Sequence, residues 1–165
     1  ALAILVDLLT ANSFTMTRSP YENNMRGLVD ALIDLKEGFP SFAPLQVGFN
    51  ATAFQDVTDG DALYMRTSDG QVGKASAADG TIENATVIGF ANATVSANST
   101  VKVIVTGLKT LSSLNAGDLF FLSDSSAGAI TTTPPSGTGK AVTRVGEAST
   151  VNDLAIHIEP PILLR

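Results

Sequence analysis

The chain has 165 residues, of which 44% are hydrophobic and 16% charged, and it carries a formal net charge of −6. This length supports one domain, or one domain plus an appendage, and buries enough surface to fold without cross-links. The absence of cysteine excludes disulfides, thiolate metal sites and thiol nucleophiles, and the acidic balance argues against nucleic acid and anionic membrane surfaces as partners.

The chain opens with the apolar run ALAILVDLLT. It is too short to span a bilayer. It has no basic region ahead of it and Asp7 interrupts it, so it makes a poor signal peptide. As a strand it places Leu2, Ile4, Val6 and Leu8 on one face; as a helix it groups Leu2, Leu5, Val6 and Leu9. Periodicity does not choose between the two. The run reads either as a buried element or as an arm that docks on another subunit.

Residues 19–38 predict a helix. Ser19, Pro20 and Glu22 form a capping box with proline at the first helical position. Tyr21, Met25, Leu28, Leu32 and Leu35 follow three or four apart, and Val29 and Ile33 widen the apolar face. Gly38 and Pro40 end the helix. Residues 39–58 predict a loop with short extended pieces, anchored by Phe39, Phe42, Phe49 and Phe54.

From Gly60 onward the pattern is β. ALYMRT and QVGKAS flank Ser68-Asp69-Gly70, a hairpin signal. ATVIGFANATV, STVKVIV, GDLFFLS, GAITTT, KAVTRVGEA and DLAIHIE follow, separated by glycine turns, and Pro160-Pro161 ends the last strand. About eight short strands of this kind predict an antiparallel barrel or sandwich. The expected organisation is an N-terminal region, 1–58, and a β domain, 59–165.

The β region repeats itself. Gly60-Asp61 recurs as Gly117-Asp118, Leu63-Tyr64-Met65 as Phe120-Phe121-Leu122, and Gly70 and Val72 as Gly128 and Ile130. Val87–Ala91 (VIGFA) recurs as Arg144–Ala148 (RVGEA), and an alternating strand follows each. The constant order predicts a duplicated hairpin-plus-strand unit whose two copies close one barrel around a pseudo-twofold axis.

Motifs for chemistry come up empty, so the chain does not read as an enzyme. The single histidine, His157, lies between Ile156 and Ile158 and is expected on the opposite, solvated face. Asp56, Asp59 and Asp61 lack the spacing and closing glutamate of an EF-hand, and the repeat partner LNAGD keeps only the turn. SGTGKAV has Pro134 and Ala141 where a phosphate loop needs Gly and Ser or Thr. The sequons at Asn50, Asn84, Asn92 and Asn98 are most simply chance in a chain rich in Asn, Ala and Thr. No catalytic, cofactor or metal residue is expected.

The run Val101–Gly107, Ala116–Ser123, Gly128–Thr131 and Val145–Ala148 resembles the small β domains of tailed-bacteriophage virion proteins, most closely capsid cement or decoration proteins. The likeness covers roughly residues 60–159 and rests on turn glycines and alternation. It implies a non-enzymatic homotrimer on the outer capsid surface, with the major capsid protein as partner. Such a protein stabilises the shell against DNA pressure. A tail, collar or fibre-base role is the alternative. A secreted adhesin or carbohydrate-binding module is disfavoured, since the chain has no Trp and only Tyr21 and Tyr64. The arm residues Leu2, Ile4, Leu5 and Leu8 and the helix residues Tyr21, Met25, Leu28, Leu32 and Leu35 are the expected protein interface.

Overall fold

A computed structural model describes residues 46–78 and 80–165. The expected arm, the helix over 19–38 and every interface residue assigned to them lie outside the described residues. Within them the chain is mainly β, and all paired strands are antiparallel, as expected.

The strands are β1 (Val47–Thr52), β2 (Ala62–Met65), β3 (Val72–Lys74), β4 (Gly89–Ala91), β5 (Thr100–Thr110) and β6 (Leu119–Leu122). They continue as β7 (Ile130–Thr131), β8 (Ala141–Val142), β9 (Arg144–Ala148), β10 (Asp153–Ile156) and β11 (Ile162–Leu163), with one short helix, α1 (Ile82–Ala85). Nine strands form one curled sheet in the order β3-β2-β4-β5-β10-β9-β6-β7, with β1 added to β5; β8 and β11 pair separately.

That order is a mirror: β3-β2-β4-β5 meets β7-β6-β9-β10 through the β5–β10 ladder. The internal repeat is therefore structural, and it holds to the level of single hydrogen bonds. Asp61 N–H donates to Thr58 O at 3.1 Å, as Asp118 N–H does to Asn115 O at 3.1 Å. Ala91 N–H donates to Asp61 O at 2.9 Å, as Ala148 N–H does to Asp118 O at 2.9 Å. Leu63 pairs with Gly89 as Phe120 pairs with Gly146, and Met65 pairs with Val72 as Leu122 pairs with Ile130. The leading glycines, Gly60 and Gly117, share φ near +90°, a conformation open to glycine and strained for other residues. The repeated Gly-Asp is a turn whose backbone locks onto the strand that ends in Gly-x-Ala.

The two halves share one core. Ala62, Ala75, Ala85 and Phe90 of the first pack in a single cluster with Phe120, Leu122, Val145 and Leu154 of the second. The backbone crosses the seam as well: Ala62 N–H donates to Gly128 O at 2.8 Å and Gly128 N–H to Ala75 O at 2.7 Å. A smaller cluster under β1 and β5 holds Ala53, Val57, Leu63, Val101 and Val103.

Several local expectations sharpen or change. One of the short extended pieces expected in residues 39–58 is the six-residue strand β1. The hairpin signalled by Asp69-Gly70 forms between β2 and β3. Arg66 N–H bonds to Gln71 O at 2.8 Å around a four-residue loop, and only Gly70 takes positive φ. β5 runs on past Gly107, because its first part holds β1 and β4 and its last part holds β10. Its alternation also fails at Ile104, which is buried opposite Phe90 while Val105 is exposed. Ile82–Ala85 supplies a short helix where no helical period is visible.

Candidate interaction surface

β1 forms because Val47, Phe49 and Thr52 favour extended backbone, and it docks because of Gly48. A Cβ at Gly48 would stand 2.2 Å from Val103 O, so only glycine lets β1 lie this close to β5. Among the described residues β1 is laddered on one side alone, to β5, and five of its six residues are exposed. It contains neither charge nor proline, the usual guards of an edge strand.

Beside β1 lies an open groove of about 630 Å³. Phe49 of β1, Met65 of β2, Val105 of β5 and Ile156 of β10 line it, with Val87, Ile88 and Ile158. Thr106 and His157 add the polar atoms, and no carboxylate is among the lining residues. Val47 is 51% exposed, Phe49 39% and Val105 37%. By the repeat's register Val105 corresponds to Ile156 and Thr106 to His157. The groove thus straddles the seam between the halves, and β1, which has no repeat partner, supplies Phe49.

The acids of DVTDGD each hold a different partner. Asp56 accepts Ala97 N–H at 2.9 Å, Asp61 accepts Thr58 N–H at 2.7 Å and pairs with Lys74 at 3.0 Å, and Asp59 pairs with Lys109 at 2.7 Å. Three neighbouring acids therefore serve three different partners and do not converge. Lys140 of SGTGKAV pairs with Asp124, whose carboxyl this hydrogen bond holds below its usual range. His157 is exposed, 3.7 Å from Glu159, while Ile156 and Ile158 pack on the core.

The β2–β3 loop carries the other perturbed groups. Arg66 binds Asp69, lowering its carboxyl and raising the guanidinium, and stacks 4.1 Å from the Phe54 ring centre. Thr67 donates its backbone N–H and its hydroxyl to Glu83, which lowers that carboxyl and ties the loop to α1. These bonds shape a turn and carry no reactive geometry.

The expected interface residues lie in the first 35 residues, and Phe49 and the groove are not among them. The alternation in VGFNAT was the available signal, hidden by neighbouring prolines and glycine. Compared with known proteins, the chain matches no family model and no curated protein.

Proposed function

We propose that this chain is a non-enzymatic virion structural protein, a capsid decoration protein that binds the outer surface of an assembled phage capsid as a homotrimer. What supports the reading is the combination of a duplicated β unit with committed acids and an uncharged, apolar groove beside an unguarded strand edge. Copies that each carry −6 repel one another. They meet at least cost where carboxylates are missing, so the groove and β1 are assigned to the neighbouring subunit. Leu2, Ile4, Leu5, Leu8, Tyr21, Met25, Leu28, Leu32 and Leu35 are proposed to add to subunit contacts. The major capsid protein is the second partner. A trimer that binds only the assembled lattice stabilises it by linkage, against expansion by packaged DNA, and many modest footprints suffice because they act together.

Gel densitometry of purified virions against the major capsid protein tests the proposal. Hundreds of copies per particle, removable with loss of shell stability, are expected. A handful of copies at tail symmetry would overturn it in favour of a tail, collar or fibre-base role.

A further inference from the structure

Lys109 is the one buried lysine among the described residues: its side chain is 4% exposed. Its Nζ lies 2.7 Å from Asp59 Oδ1 and 3.5 Å from Asn92 Oδ1. An amine, a carboxamide and a carboxylate therefore converge from three segments: the loop before β2, the turn after β4 and the end of β5. The fold does not require them. By the register of the repeat, the corresponding positions in the second half are Ala116, Ser149 and Pro160, yet that half builds the same Gly-Asp turn and the same strand ladder.

We propose that Lys109 and Asn92 are the partners of an intramolecular isopeptide bond, with Asp59 as its acid–base residue. Asp59 takes a proton from the Lys109 ammonium and frees its lone pair. Nζ attacks Cγ of Asn92 and the Nζ–Cγ bond forms. The Cγ–Nδ2 bond then breaks, and the protons shed by Nζ leave on that nitrogen through Asp59. An ammonium and a primary amide become a secondary amide and an ammonium ion, with no oxidation and no co-reactant. A positioned acid–base group next to an amine nucleophile is the general requirement of such a step. Asp59, 52% exposed at its side chain, covers the buried amine and leaves ammonia a path to solvent. The bond would lock β4 to the far end of β5 in a chain that has no cysteine for disulfides, and reducing agents would not cut it.

Intact-mass spectrometry of the purified full-length protein tests this directly. The expected mass is lower than that of the sequence by one ammonia, with a branched protease fragment joining the Asn92 and Lys109 peptides. Lys109→Arg and Asp59→Ala should each restore the full mass, and circular dichroism confirms that each variant is folded. A wild-type chain at full mass overturns the proposal. So does an ammonia loss that survives in Lys109→Arg, since it would come from cyclisation of an asparagine alone. The readout is independent of capsid binding, so it stands or falls apart from the proposed function.

Discussion

Gly89 and Gly146 each stand where a Cβ would lie 2.4 Å from a carbonyl oxygen of the next strand, Ile104 O in one half and Ala155 O in the other. Backbone cannot retreat from such a contact without breaking the ladder, so Gly146→Ala should cost about 1–3 kcal/mol through overpacking. Gly117 meets nothing within 4 Å at its Cβ position and is constrained only by φ +90. Gly117→Ala should therefore lose less, about 1 kcal/mol from the left-handed backbone. Guanidinium unfolding midpoints rank the two, and equal losses would show that close approach is not the reason for the repeated glycine. The carboxylates give a second residue-scale outcome. Asp69, Glu83 and Asp124 all sit below their ordinary values of 3.8, 4.5 and 3.8 in the folded state. A lowered folded pKa means that the unfolded chain binds protons first. The stabilisation is present above the ordinary values and disappears as pH falls through the lowered ones. Thermal melts from pH 6 to pH 2 should show stability falling below about pH 4, with a smaller fall in Arg66→Gln, where Asp69 has lost its partner.

β1 is the element on which an interface can be tested without disturbing the core. Phe49 is exposed and lines the groove, so Phe49→Asp should change stability by no more than about 0.5 kcal/mol. It sets a carboxylate into the patch proposed as the subunit contact, and light scattering should then report loss of the proposed trimer. A trimer that survives Phe49→Asp together with Val105→Asp would remove the groove from the interface. The elements differ in how far the sequence announced them. β2, β4, β6 and β9 were legible because each carries the Gly-Asp or Gly-x-Ala signature that its hydrogen bonds require. β1 was legible only as a short extended piece, because its docking depends on Gly48 meeting Val103 O, a contact between distant segments. The β2–β3 hairpin was legible, but the length of its loop was not, because Arg66, Asp69 and Gln71 build it from side-chain bonds that turn statistics ignore. Of the candidate site, the role of Asp61 in its turn was readable from the repeat. The groove was not, since its walls come from β1, β2, β5 and β10 and meet only through the fold.

The molecule as a whole makes sense of writing one unit twice. The first half has only the smaller cluster under β1 and β5 to itself, and the main cluster draws Phe90 and Ala62 from one half and Leu122, Val145 and Leu154 from the other. The halves meet along β5 and β10, and Leu111 N–H to Asn152 O at 2.7 Å and Leu114 N–H to Val151 O at 3.0 Å extend that seam. The connection between β5 and β6 passes β10 and β9, which lie between them in the sheet, and Ser113 there already takes a positive φ. Cutting the chain after Ser112 should therefore separate two fragments that are complementary and individually incomplete. Residues 113–165 alone fall below the size, about 60 residues, at which a single core is marginal, and they expose the face that Phe90 covers. Expressed singly, that fragment should lack dispersed amide resonances and exchange its backbone protons freely. Mixed with residues 1–112, it should regain slow exchange at Leu122, Val145 and Leu154, which pack in the cluster shared by both halves. A fragment 113–165 that folds unaided would mean that the duplicated units are independent domains, and the shared core would then be an interface between them.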